Sequence, residues 1–333
     1  VEAFSQQTSS SHLHPEAHQS HSPSNNNDDA KELKQWSKVK IEYEYANQFY
    51  RENYGGKIPY FPKKTGLDTV YDARHGVLIN NNKKVGTASL EGSGFEVCTL
   101  PTKCKDFKDK KEIAKHYLPE LRSVLEERYQ QPITPRNSFF WYGKIRGEDY
   151  DQTLRRDCYA TNPVMPLVHI DANLDNYSTK DLIYQLTKTA TKRRIPEDEE
   201  FDVDMFQKAI SQNQQRFLLI NFWRSLGKDP VRRAPLGILQ SRYAQEGMSF
   251  PRARVDPTQS HWYVFPEMTH DECLIFKQYD RRLDQPSDLW HAAMEPRYQP
   301  RNVEQRLSFD IRALVVLDEV VPDKWNRFDA SMK

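Results

Sequence analysis

Cysteine is scarce and scattered in this chain. The four thiols, Cys98, Cys104, Cys158 and Cys273, form no CxxC pair in 333 residues. No dense disulfide framework is present, and the pattern reads as that of reduced thiols in an intracellular, cytoplasmic protein. Long apolar runs are missing too. None approaches the ~20 residues of a membrane span, and the N-terminus carries no apolar stretch of the signal-peptide kind, so no membrane partner is expected. Neither GxGxxG nor a Walker loop is present, which removes the common phosphate cradles. Charge of one sign is lacking as well. Lys+Arg 48 against Asp+Glu 47 leaves +1, so no global field recruits nucleic acid. Aromatics are what the chain has in quantity, 17 Tyr and 16 Phe, enough for a substantial core. The expected partner is a small-molecule substrate; nothing in the sequence speaks to oligomeric state.

Residues 1–30 are Ser, His, Asn, Gln and Pro, and read as a disordered tail. Residues 31–135 read as an N-terminal cap. Within it, Lys31–Tyr60 reads as a tyrosine-rich helix on the body, followed by short strands at 68–72, 76–79 and 94–98 with a turn at Asn80-Asn81-Asn82. A helix over 109–129 carries Ile113, Tyr117, Leu121, Val124 and Leu125 on one stripe, with Pro119 as a kink. Residues 136–320 read as the catalytic core and 321–333 as a C-terminal tail. A helical insertion over 178–215 opens on a capping box at Ser178 and Asp181 and ends with a helix over 202–214. Around the insertion, eight β-rich runs fall at 139–145, 164–169, 217–223, 236–243, 262–265, 273–279, 289–294 and 306–317. Eight is the strand number of a double-sheet jelly roll, so the expected fold is mainly β with helices, around a double-stranded β-helix.

The second run ends in His169-Ile170-Asp171. On an extended chain, positions two apart share a face, so the imidazole and the carboxylate can grip one cation from one side. They would be two members of the facial triad that holds non-haem Fe(II). The third ligand belongs on the seventh strand, where His291 stands. His261 and His270 are its rivals, flanking the 262–268 stretch. On the eighth strand Arg306 and Ser308 share a face, and a guanidinium beside a hydroxyl suits a carboxylate. Lys277 sits inside an apolar run and either meets an anion in the pocket or reaches outward. Asn221 either bonds a cosubstrate or serves the strand end.

Several stretches resemble one known family. They are Asp68–Arg74 with Gly94-Phe95, Tyr117–Glu120, Val168–Asp171, Asn221–Arg224, His261–Pro266, Asp271–Asp280, His291–Met294 and Arg306–Arg312. Together they resemble the fungal and bacterial hydroxylase/desaturase family that includes the gibberellin desaturase, the aspergillic-acid hydroxylase AsaB and the cephalosporin methoxylase component. The resemblance implies a non-haem Fe(II), 2-oxoglutarate-dependent oxygenase of secondary metabolism. It places His169, Asp171 and His291 on iron, Arg306 and Ser308 on 2-oxoglutarate, and O2 as the second cosubstrate. Asn221 is a further cosubstrate candidate. Substrate contacts are expected from Ala172, Arg224, Lys277 and Met294. The chain departs from the family at Ala172, where a Tyr is common, and at Met294-Glu295-Pro296, where a Phe and Asp-Pro are common. Two other readings stay open: a jelly-roll binding protein without turnover, and a zinc hydrolase with the same ligands.

Overall fold

The computed structural model describes residues 33–43, 64–79, 84–141, 143–147, 162–171, 202–212, 214–240, 261–296 and 302–327. Most of them are strand. Two strands carry the densest apolar runs in the chain and stand side by side: β10 (Gln215–Ser225) and β16 (Leu307–Val320) pair antiparallel from Gln215↔Val320 to Ser225↔Ser308. β13 (Glu272–Asp280) pairs with the other edge of β10, and β5 (Phe95–Thr99) continues past β13. On the far side of β16 lie β6 (Ser138–Phe140), β7 (Lys144–Gly147) and β8 (Asn162–Pro163), completing a seven-stranded sheet.

The second sheet, also seven-stranded among the described residues, runs β14 (His291–Ala293), β11 (Leu236–Leu239), β12 (Trp262–Val264), β2 (Lys64–Asp72), β1 (Gln35–Tyr43), β15 (Glu295–Pro296). β9 (Leu167–Val168) lies parallel to β1. A hairpin of β3 (Val77–Ile79) and β4 (Lys84–Gly86) flanks Asn80-Asn81-Asn82, which fall outside the described residues.

The helix expected within Lys31–Tyr60 is corrected: its described part, Gln35–Tyr43, is β1. The tyrosines and lysines that suit an amphipathic helix also suit a half-covered strand, and pairing with β2 over eight positions decides for the strand. β1, β2 and β5 therefore belong to the two sheets rather than to a cap ahead of them. The first core run is split into β6 and β7, and the second is shortened to β9, with β8 just ahead of it.

Period two sorts the side chains. Leu218, Ile220 and Phe222 of β10, with Ile275, Ile311 and Ala313, turn to an outer cluster. There they meet Ile113, Tyr117, Leu118, Leu121 and Leu125 of the segment leading into and through α1 (Leu118–Tyr129). The expected stripe is the buried face. Instead of a simple kink at Pro119, the chain makes a π turn over Ile113–Tyr117, where the Leu118 N–H reaches back to Ile113 O. Pro119 then starts the regular helix, in whose first turn its missing N–H is no loss. Gln130 ends α1 in the left-handed region (φ 53°), its N–H donating to Glu126 O at 2.8 Å. α2 (Val203–Ser211), capped by Asp202 on the Met205 N–H, covers Phe217, Leu219, Leu314 and Val316. The capping box at Ser178 and Asp181 lies outside the described residues. Trp223, Phe276, Leu274, Ile238, Tyr263 and Phe95 fill a further core cluster containing members of both sheets. Among the described residues no helix is long and apolar enough to cross a membrane.

Candidate metal centre

His169 follows β9 and His291 opens β14, and the two form an isolated antiparallel bridge. The His169 N–H donates to His291 O at 3.1 Å and the His291 N–H to His169 O at 2.9 Å. Directly opposed residues of such a pair project to the same face, and the two ring centroids stand 4.3 Å apart. Asp171, two positions beyond His169, joins them. Its Oδ1 lies 3.7 Å from His169 Nε2 and its Oδ2 3.6 Å from His291 Nε2. One ligand atom from each of the three lies within 4.8 Å of the others, and among the described residues no other His, Cys, Asp or Glu group is so disposed. The rivals stand apart: His261 rests against the Tyr71 ring at 5.6 Å, and His270, largely exposed, pairs with Asp271.

The surroundings fix the ionisation states a metal needs. Burial pushes His291 down to about 3, with His169 adding to the effect, so its imidazole is neutral. Its Nδ1 faces Leu289 O at 3.3 Å, an orientation that turns Nε2 towards Asp171. Burial alone would raise the Asp171 carboxyl, but Arg312, the two imidazoles and the Asn221 hydrogen bond together outweigh it and hold it well below the usual carboxylate range. The guanidinium of Arg312 is the largest of the influences that keep Asp171 ionised. Arg312 Nη2 donates to Oδ1 and Asn221 Nδ2 donates to Oδ2 at 2.5 Å. Two imidazole nitrogens and one anionic oxygen, gathered on one side of a cavity, match the donor set of an open divalent site.

The cavity encloses about 370 Å3 including its open mouth, and Asn221, Trp223, Arg306 and Asp310 share its wall with the triad. Arg306 is buried, its guanidinium stacked over the Trp223 ring at 5.0 Å and donating from Nη1 to Ala234 O at 2.6 Å. Ser308 does not line the cavity; its hydroxyl accepts from Arg306 Nε at 3.1 Å and donates to Arg146 O at 3.4 Å, so it braces the arginine from behind.

Three expected substrate contacts are not brought to the cavity. Arg224, three residues from Asn221, projects to the opposite face of β10, where Nη2 donates to Leu100 O and His270 O and the guanidinium packs over Phe107 and Tyr117. Lys277 neither meets a pocket anion nor reaches solvent: it is fully buried with Nζ 2.9 Å from Asp280 and 3.3 Å from Glu91. Met294, three residues from His291, faces the cluster of Val39, Val70, Leu239 and Trp262. Ala172 lies outside the described residues. Conversely, Arg312, Gln278, Trp223 and the Arg146–Asp310 ion pair were not singled out from sequence. Continuing the period of two from Arg306 and Ser308 leads to Asp310 and Arg312, so that signal was present.

A two-sheet β protein with a His-Asp-His facial centre and a guanidinium across the cavity is the architecture of a metal-dependent oxidoreductase. Over residues 47–316 the chain matches the Oxidoreductase/YMDC permease-like domain family, and it belongs to that family. It is 24% identical over 271 residues to the hydroxylase/desaturase efuI of Hormonema carpetanum, covering 73% of this chain and 84% of that protein. It is 25% identical over 295 residues to the alpha-ketoglutarate-dependent dioxygenase phiK of Fungal sp. (strain ATCC 74256), covering 81% of this chain and 94% of that one. In fold it is similar to the iron and alpha-ketoglutarate-dependent endoperoxidase NvfI, with TM-score 0.55 and 16% identity over 84% of this chain and 97% of that chain. The hydroxylase/desaturase resemblance stands, and the protein is an oxidoreductase.

Proposed function

We propose that the protein is an Fe(II)- and 2-oxoglutarate-dependent oxygenase with a double-stranded β-helix core. It would hydroxylate, desaturate or oxidatively cyclise an unactivated C–H position of a small secondary-metabolite-type substrate. The observation that carries the reading is the convergence of His169, Asp171 and His291 in one cavity with Arg306. Bound iron supplies the oxidising chemistry, coupling O2 and the decarboxylation of 2-oxoglutarate to removal of a substrate hydrogen.

The chain's own residues do the rest. His169 and His291 would offer imidazole nitrogens on one side and Asp171 the anion that balances the cation. Arg312 and Asn221 hold that carboxylate at both oxygens, so it meets the metal in one orientation. Arg306, fixed by Ser308, Ala234 O and the Trp223 face, would bind the distal carboxylate of 2-oxoglutarate through charge-assisted bonds. The apolar walls at Phe276 and Leu236 exclude water from the reacting position.

Arg306 also weighs against a zinc hydrolase, which would have no use for a buried guanidinium across from the metal. A binding protein without turnover makes the sharper contrast. The discriminating experiment supplies Fe(II), 2-oxoglutarate and O2 and measures succinate. Succinate formed in proportion to O2 consumed supports the oxygenase; a protein that binds both yet forms none is the binding protein.

A further inference from the structure

Gln278 lies on β13, a strand that supplies none of the three ligands, and its side chain is almost wholly buried. Both ends of its amide are used. Oε1 accepts the backbone N–H of Asp171 at 2.7 Å. Nε2 donates to the backbone carbonyl of Leu289 at 2.9 Å. That carbonyl is the one His291 Nδ1 faces at 3.3 Å. One side chain thus joins the segment that carries Asp171 to the segment that carries His291. A backbone bridge already ties His169 to His291, but it stops at His169. Asp171 lies past its end, outside any strand. Arg312 and Asn221 hold the Asp171 carboxylate, while the Gln278 bond is made to its backbone N–H.

Resting on the metal reading above, we infer that Gln278 is a positioning residue of the metal centre: a clasp that sets where the Asp171 carboxylate stands relative to His291. An amide suits this, because the clasp needs an acceptor at one end and a donor at the other. An ionised glutamate would keep the bond to Asp171 N–H and face Leu289 O with a second acceptor. Leucine or methionine would fill the space and offer neither. The contribution is to geometry, since Gln278 is not itself a ligand atom and does not line the cavity.

The test uses the full chain and Co(II), an air-stable probe with a visible ligand-field spectrum. Wild type, His291→Ala, Gln278→Leu and Gln278→Glu are titrated with Co(II), and each metal-free protein is melted. Outer-shell partners of metal ligands typically change metal affinity by about 10–100-fold. Gln278→Leu is expected to raise the Co(II) Kd by ~10–100-fold and to alter the band shape, with Gln278→Glu between it and wild type. A Gln278 that merely stabilises the fold would lower the melting temperature and leave Kd and spectrum as they are, and that result overturns the inference. Should neither variant fold, amide exchange in the metal-free wild type decides: a protected Asp171 amide supports the clasp, and exchange at the rate of a free chain overturns it. Failure of the wild type to bind Co(II), or binding by His291→Ala as tight as the wild type's, would instead overturn the metal centre and take the clasp with it.

Discussion

His169 and His291 are each other's hydrogen-bond partners before they are anything else. Their backbones exchange both N–H···O bonds, at 3.1 and 2.9 Å, across an isolated antiparallel bridge. Residues 122 apart in sequence are thereby held face to face, and the imidazoles inherit that alignment. The distance between the two nitrogen ligands is a backbone property.

That arrangement leaves Arg306 and Lys277 with different fates, and their alanine variants should differ accordingly. Losing one partner of a buried, hydrogen-bonded charge pair costs ~2–5 kcal/mol, and each ~1.4 kcal/mol is tenfold. Arg306→Ala should weaken 2-oxoglutarate by ~30-fold or more in an anaerobic titration of the Fe(II) protein, with Fe(II) affinity nearly unchanged. Lys277→Ala should leave the titration curve in place and lower stability instead, on the order of 3 kcal/mol, because Asp280 is fully buried and loses one of its two cations. A normal curve for Arg306→Ala would move the anchor elsewhere.

Asp280 also predicts an acid limit. Burial would raise its carboxyl, but Lys277 and Arg216 outweigh burial and hold it at about 2, below its ordinary 3.8. The unfolded chain therefore binds the proton more readily. This stability is complete above about pH 4 and is lost as pH falls towards 2, on the order of 2 kcal/mol in all. Thermal melts of wild type and Asp280→Asn should converge over that window, with the variant the less stable at neutral pH. Parallel curves from pH 6 to pH 2 would refute it.

Met294 is a packing residue, and enlarging it should act on the fold. A Cβ built on Gly237 would stand 1.9 Å from Met294 Cε, so the glycine exists to admit the methionine. Met294→Phe and Gly237→Ala should each destabilise by about 1–3 kcal/mol through overpacking. Turnover per folded molecule should change little for Met294→Phe. A changed product ratio at unchanged stability would return Met294 to the substrate side.

Parity explains what could be read from sequence and what could not. His169, Asp171, His291 and Arg306 were legible because strand order and a period of two constrain them jointly. Arg224 and Met294 fell away for the same reason: each lies three residues from a cavity-facing position, Asn221 and His291, and so on the other face. Lys277 sits between Phe276 and Gln278, both turned inward, and is carried to a buried ion cluster. Arg312 obeys the parity of Arg306, but its role depends on Asp171, 141 residues away, which only the fold brings to it. Gln278 had no signature at all, since a neutral amide joining two backbones depends on contacts 107 and 11 residues away. β1 was illegible for another reason: its helix-like composition is overruled by a partner strand that only the folded chain supplies.

An oxygenase of this class needs His169, Asp171 and His291 to hold iron that 2-oxoglutarate can reach. Under nitrogen, Fe(II) and then 2-oxoglutarate are added to wild type, His169→Ala, Asp171→Ala, His291→Ala and His261→Ala, and the visible charge-transfer band of the iron–keto-acid complex is recorded. The band is expected in wild type and His261→Ala and absent from the three triad variants. A band lost in His261→Ala and kept in His291→Ala, or no band in the wild type, would contradict this assignment.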